Sequence, residues 1–166
     1  HVLIPLLSKA GHKVNVLTRR PSEWSRNVEA QLQSCDGHLK KTFKGTINFI
    51  SNNPQDIIPQ ASIIVLCMPV SQYRQALHHI APYINDNKNV FVGALYGQAG
   101  FNWMMDEIKK KYNIKNITSF AIGLLPWICR TVEYGRVGVT YGPKKVNIVA
   151  LSDPSRFDFL NDYFLK

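Results

Sequence analysis

Cysteine is scarce in this chain, acidic residues are few, and no Gly-x-Gly turn of the kind that cradles a phosphate occurs anywhere in it. Cys35, Cys67 and Cys129 are far apart and form no Cys-x-x-Cys pair. That spacing argues against a disulfide scaffold and against a zinc site, and it favours a reducing, cytoplasmic setting. The 11 Asp and Glu are outnumbered by 20 Lys and Arg, for a formal net charge of +9. Such an excess invites a nucleic-acid partner. The cations, however, are dispersed as Lys40-Lys41, Lys109-Lys110-Lys111 and Lys144-Lys145, with no nucleic-acid motif beside them, so no nucleic-acid partner is expected. Long apolar runs are missing too. The longest, residues 61–70, is interrupted by Ser62 and Pro69 and is too short to span a bilayer. Residues 2–7 lack the charged lead and small-residue cleavage site of a signal peptide, and no membrane partner is expected. What is present, 45% hydrophobic and 19% charged residues in a chain of 166, excludes disorder and suits one domain with a sizeable core.

Strand and helix alternate through most of the chain. Residues 1–10 read as a helix closed by Gly11. Residues 14–17, Val-Asn-Val-Leu, read as a short buried strand, followed at once by Thr18-Arg19-Arg20-Pro21. An apolar helix beginning at residue 1 leads to the expectation that a first strand and a glycine-rich turn lie upstream, the chain being incomplete. Residues 22–33 read as helix or irregular, anchored by Trp24, and residues 35–44 as a polar loop. Residues 45–50 alternate as a half-buried strand does. Residues 54–58 predict a short helix with Asp56 near its positive end. The continuous apolar run 62–67 predicts a central strand of a parallel sheet. Ser71 opens a helix to residue 84, residues 89–92 form a strand, 101–112 a helix and 117–122 a strand. Two alternating segments around Gly135, within 131–142, and a third at 144–150 predict an antiparallel meander joined to the parallel sheet. Asp153-Pro154 caps a last helix with Phe157, Leu160, Tyr163 and Phe164 as its apolar stripe. The predicted fold class is α/β: a Rossmann-like, doubly wound, mostly parallel sheet with a short antiparallel extension, one domain over residues 1–166.

In an open α/β sheet ligands bind beyond the carboxyl ends of the strands, and four places qualify. The helix–glycine–strand unit ending in Thr18, Arg19 and Arg20 matches the second strand of a dinucleotide-binding unit, whose end faces an adenine ribose. An acidic residue there would take the free 2′-hydroxyl of NAD, whereas two guanidiniums favour the 2′-phosphate of NADP. Cys67, Met68, Pro69 and Val70 end the next apolar strand, and Ser71 is placed to cap the helix that follows. Gly97 and Gly100 permit close approach of backbone to a flat ligand, with Gln98 offering both an amide donor and an acceptor. Trp127, Cys129 and Arg130 cluster where an ordinary turn would carry Asn, Gly or Ser. Arg130 suits a substrate carboxylate or, equally, an ion pair with Glu133 three residues on. Cys129 has no activating base in the sequence. His78 and His79 are expected to face solvent and His12 and His38 to lie in loops. None makes a metal pair.

These strings taken together, His-Val-Leu-Ile-Pro at the start, Gly11-His12-Lys13-Val14-Asn15-Val16-Leu17-Thr18-Arg19, Gly97-Gln98-Ala99-Gly100-Phe101 and Leu125-Pro126-Trp127-Ile128-Cys129-Arg130, resemble the opine dehydrogenases, the octopine and nopaline dehydrogenase group. The likeness covers nearly the whole chain but only the family's amino-terminal, cofactor-binding domain. It implies NAD(P)H-dependent reductive condensation of a 2-oxo acid with an amino acid, and Arg19 and Arg20 make NADP the expected cofactor in preference to NAD. It also implies a catalytic histidine and aspartate in a separate helical domain absent from this chain, so no catalytic residue is assigned and the fragment alone is expected to be inactive. By the same likeness Gln98 and Cys129 fall toward the oxo-acid and nicotinamide end, and Arg19 and Arg20 at the adenosine end. The Gly11-His12-x-Val element is shared with glycerol-3-phosphate dehydrogenases and ketopantoate reductases, which stand as the enzyme alternative. A non-catalytic nucleotide-binding module is the alternative of another class.

Overall fold

The computed structural model describes residues 1–165. In chain order its elements are α1 (Leu3–Lys9), β1 (Asn15–Leu17), β2 (Asn27–Gln33), β3 (Leu39–Thr46), β4 (Phe49–Ser51), β5 (Ile63–Leu66), α2 (Tyr73–Ile80), β6 (Val90–Ala94), α3 (Phe101–Tyr112), β7 (Ile117–Ile122), β8 (Trp127–Glu133), β9 (Val137–Pro143), β10 (Val149–Leu151) and α4 (Phe157–Leu160), with short 3-10 turns between several of them. They divide into two compact units, one of His1–Asn53 with Trp127–Lys145, the other of Pro54–Pro126 with the segment from Val146 onward.

In the first unit α1 stops where Gly11 takes φ +90°, and β1 follows. β1 pairs in parallel with β4, Val16 opposite Ile50 and Leu17 opposite Ser51. Four more strands form a sheet in the order β3-β2-β9-β8, with β2 parallel to β9 and the outer pairs antiparallel. Ile4, Val28 and Ile47 are the buried centre, packed on by Val14, Val16, Trp24 and Ile50. Gly45 lies so close to α1 that a Cβ there would run into the Pro5 backbone. β8 forms the outer edge, exposed along most of its length, and its pairing with β9 shifts register twice, between Trp127 and Cys129 and between Thr131 and Glu133.

The second unit is a sheet ordered β10-β7-β6-β5, in which β5, β6 and β7 run parallel and β10 antiparallel. β6 and β7 are buried at every position, as strands covered on both faces must be. Phe91, Phe120 and Leu160 form the core cluster. Tyr73 of α2 meets Phe101 of α3 edge to face. The same two helices are tied by Arg74 and His78 to Glu107, at 2.9 and 3.4 Å.

The expected α/β class holds, with mixed parallel and antiparallel sheets. Several boundaries do not. Residues 27–33 are strand, not helix: Val28 and Ala30 are fully buried and alternate with more accessible neighbours, the period of two of a strand. Residues 39–46 are strand, not polar loop, because pairing with β2 and the Lys44–Glu29 ion pair (3.3 Å) specify a ladder that faces water. β5 lies at the edge of its sheet rather than at the centre. The expected meander is not one element. β8 and β9 join β2 in the first unit, only residues 149–150 of the third segment are strand, and they belong to β10, which pairs with β7. In the last helix Leu160 is buried, but Phe157 and Tyr163 are exposed.

Candidate functional site

In the first unit Thr18, Arg19 and Arg20 stand at the carboxyl end of β1, as their sequence position predicts. Thr18 extends the β1–β4 ladder, its amide donating to the Ser51 carbonyl (2.9 Å), and its Oγ1 accepts from the Arg20 amide (3.3 Å). The two arginines are not equivalent. The Arg20 guanidinium lies 4.4 Å from the centre of the Tyr134 ring and 3.1 Å from the Glu23 carboxylate. Tyr134 is itself fixed: Trp24 Nε1 donates to its hydroxyl (3.3 Å), and His1 stacks on Trp24 with ring centres 4.8 Å apart. Arg19, one residue earlier, is exposed. Glu23, Trp24 and Tyr134 thus form an open shelf under the Arg20 guanidinium, whose side chain stays 59% exposed. Sequence reasoning missed the shelf because Tyr134 is 110 residues from Trp24 and nothing local announces the pairing.

Burial pushes the Tyr134 phenol up, but the hydrogen bonds from Trp24 and Thr18 and the Arg20 charge outweigh it, so the group ionises below the ordinary value near 10.0. Tyr73 in the second unit is shifted the other way. Burial raises it, a nearby Cys67 thiolate adds to that, and hydrogen bonding from the Tyr96 backbone only partly offsets both. The signs differ accordingly. Tyr134 contributes stability that is present at high pH and lost as pH falls through its folded value, whereas the Tyr73 contribution is present below the ordinary phenol range and lost as pH rises through its folded value. An alkaline titration followed by phenolate absorbance should therefore show Tyr134 ionising before Tyr73. The early phase should vanish in Tyr134→Phe; persistence of that phase would assign it elsewhere.

In the second unit Cys67, Met68 and Pro69 follow β5 and are exposed, and Val70, partly covered, opens a 3-10 turn that leads into α2. Ser71 does not cap α2: Gln72 holds the N-cap position and no side chain bonds there. The reading of Gly97 also changes. Its amide donates to the Ile122 carbonyl (2.7 Å), and a Cβ would sit 2.5 Å from that of Ala121. Packing against β7 therefore requires glycine at 97. Gln98 is exposed, and Ala99 and Gly100 both take left-handed backbone, φ 56° and 76°, before α3 begins.

Trp127, Cys129 and Arg130 lie on β8 in the first unit rather than in a turn. Arg130 does not pair with Glu133. Its Nη1 donates to the Cys129 carbonyl (2.9 Å), and Glu133 pairs instead with Arg136 (3.2 Å), three residues on across the β8–β9 turn. Cys129 is exposed. His78 is not solvent-facing as expected: it lies within hydrogen-bond reach of the Tyr112 hydroxyl (3.3 Å) and near Glu107. His79 is exposed, His38 sits in the β2–β3 turn beside Asp36 (3.6 Å), and His12 lies in the loop after α1.

Parallel strands whose carboxyl ends open into arginine- and glycine-bearing turns define an α/β protein. No protein-family model matches the chain, but individual relatives do. An opine dehydrogenase from Haliotis discus hannai is 32% identical over 94 residues, 57% of this chain and 22% of the relative. An octopine dehydrogenase from Mizuhopecten yessoensis is 29% identical over 153 residues, 87% of this chain and 37% of the relative. Among solved structures, octopine dehydrogenase with NADH and L-arginine superposes with a TM-score of 0.80 at 24% identity, covering 99% of this chain and 44% of that one. Yersinopine dehydrogenase with NADP+ bound gives 0.75 at 10% identity, over 98% and 42%. The resemblance to the amino-terminal region of the opine and octopine dehydrogenase family therefore holds in sequence and in fold. The chain spans well under half the length of these relatives. No helix among the described residues is long and apolar enough to cross a membrane.

Proposed function

We propose that this chain carries cofactor-binding residues of an opine dehydrogenase-type oxidoreductase, with a 2-oxo acid and an amino acid as substrates and NADP preferred over NAD. The observation that carries the cofactor choice is the exposed guanidinium of Arg19 beside an Arg20 already held by Tyr134 and Glu23. Arg20 is braced at the surface against Tyr134 and Glu23, so Arg19 supplies the freer fork for a 2′-phosphate, and Thr18 and Arg20 set the direction of the chain around it. These residues fit the phosphate-bearing end of the cofactor. The 166 residues contain no Gly-x-Gly turn for its pyrophosphate, and no step is assigned through that part.

In the second unit we assign Cys67, Met68, Pro69, Val70 and Gly97 to the cofactor and Gln98 to the substrate, on the ground that they follow strand carboxyl ends. Gly97 serves by allowing close packing and so placing the turn, not by lying against the ligand. Cys129 and Arg130 in the first unit are assigned to substrate on the family resemblance; the Arg130 fork is free of carboxylate partners among the described residues and suits a carboxylate. When bound, the reduced cofactor would supply the hydride for the imine formed from the two substrates. Every residue assigned here binds or orients, and none is given a proton.

The test is a pair of binding titrations, NADPH and NADH, on the wild-type chain and on Arg19→Ala and Arg20→Ala. Arg19→Ala should weaken NADPH by about tenfold or more, the worth of a charge-assisted hydrogen bond, and leave NADH nearly unchanged. Arg20→Ala should affect both cofactors alike, through the loosened shelf. Equal losses for both cofactors in Arg19→Ala, or no loss for either, would sink the reading.

A further inference from the structure

A guanidinium has two flat faces and a rim of donors, and the shelf in the first unit engages only part of that of Arg20. One face lies 4.4 Å from the centre of the Tyr134 ring. On the rim, Nη1 meets the Glu23 carboxylate at 3.1 Å. The side chain nevertheless stays mostly exposed, so its second face is open to solvent. The ring beneath is held firmly. Trp24 Nε1 donates to the Tyr134 hydroxyl (3.3 Å), and the rings of Trp24 and His1 each meet that of Tyr134 edge to face, with centres 5.6 Å apart. His1 in turn accepts from the Gly135 amide through Nε2 (2.7 Å), which ties the stack to the turn that carries Tyr134.

What suits the open face follows from its chemistry. A flat cation with one face covered offers the other to a second flat π system, and guanidinium planes are regular stacking partners of nucleobases. A phosphate would need the rim instead, in the plane of the fork, and there Glu23 already stands with its negative charge. An uncharged aromatic ligand therefore fits Arg20, whereas a phosphate fits Arg19. The bracing helps, because a guanidinium already oriented by Tyr134 and Glu23 has less rotamer freedom to lose when a ligand settles on it. Arg19 and Arg20 are neighbours in the chain, so a base on one and a ribose 2′-phosphate on the other lie within the span of a single nucleoside.

We infer that the open face of Arg20 stacks the adenine base of the cofactor, so that base, guanidinium and Tyr134 ring form three layers. The inference rests on the cofactor reading above and deepens it. It gives Arg20 a contact shared by NADPH and NADH, while that of Arg19 is confined to NADPH. The base is held by stacking and cation–π attraction rather than by hydrogen bonds, so the Arg20 contribution depends on its plane and not on charge alone.

The full chain, 15N-labelled, is titrated with 5′-AMP and, in parallel, with ribose 5-phosphate at constant ionic strength. AMP has neither a 2′-phosphate nor a nicotinamide, so the difference between the two ligands reports the base alone. AMP should bind about tenfold or more tighter than ribose 5-phosphate. It should also move the Arg20 Nε–H resonance, which ribose 5-phosphate leaves in place. In Arg20→Lys, which keeps the charge and loses the plane, the advantage of AMP should shrink to about threefold or less, whereas a merely loosened shelf would weaken both ligands equally. Arg20 is exposed, so the fold should persist, which the spectrum of the variant itself reports. No saturable binding of AMP, equal constants for the two ligands, or an unchanged advantage in Arg20→Lys would overturn the inference. The two readings fail separately. A preference for AMP without the Arg19 effect on NADPH keeps the stack and removes the NADP assignment; the Arg19 effect without a preference for AMP does the reverse.

Discussion

Gly135→Ala is expected to destabilise the first unit by about 2–4 kcal/mol. Gly135 has φ +72° in the turn between β8 and β9, a conformation that costs a residue with a Cβ about 1 kcal/mol. The added carbon would also run into the Glu23 carbonyl and come within 2.8 Å of Trp24 Cα. Both obstacles are backbone, so one loop must move, at about 1–3 kcal/mol. The displaced segment carries Glu23 and Trp24, and Ser25 beyond it donates to the Gly135 carbonyl (3.1 Å). The shelf under Arg20 should therefore be lost together with the stability, and Trp24 fluorescence should report both. Gly142→Ala is the control: φ is +126° there but nothing lies within 4 Å of the new carbon, so only the conformational cost should appear. Equal shifts of the denaturation midpoint in the two variants would refute the collision argument.

Phe120→Ala should cost about 3–5 kcal/mol, the range for deleting a large aromatic from a packed core. Phe120 is fully buried, at the centre of the cluster with Phe91 and Leu160, and meets the Phe164 ring at 5.6 Å. Its ring occupies the space that a side chain at position 93 would otherwise take, since a Cβ on Gly93 would overlap three of the ring carbons. That overlap gives a diagnostic second variant. Gly93→Ala alone should destabilise by overpacking, whereas in the Phe120→Ala background the same methyl enters vacated space. The double variant should thus be less impaired than the two single losses added together, as expected of residues in contact. Strict additivity in denaturant unfolding would show that the two positions do not share this volume.

How far the sequence reveals the fold depends on where each element finds its partners. α3 and β7 appear where the periodicity places them, at Phe101–Tyr112 and Ile117–Ile122, because burial of one stripe or of both faces writes itself into local pattern. β3 does not: its residues Leu39–Thr46 are mostly exposed, and its strand character comes from β2 and from the turn at Gly37, φ +87°. β8 is legible only in part: Thr131–Glu133 fall in the predicted alternating segment, whereas its first half, exposed from Ile128 on, carries no burial pattern. At the candidate site the two arginines were legible as a pair, but their division of labour was not, since it depends on Tyr134 arriving from a distant strand. Likewise Gly97 was legible as a special position, although the reason is a methyl group on a neighbouring strand rather than a ligand.

The two register shifts between β8 and β9 bear on solubility. A long uncovered rim of backbone donors and acceptors is a template on which stray chains add themselves, rung by rung, toward fibrils. Each break in the β8 ladder twists the rim and spoils its repeat, so an incoming strand loses step after a short stretch. With Ile128 and Val132 open to water, such misfits would guard the protein against self-association.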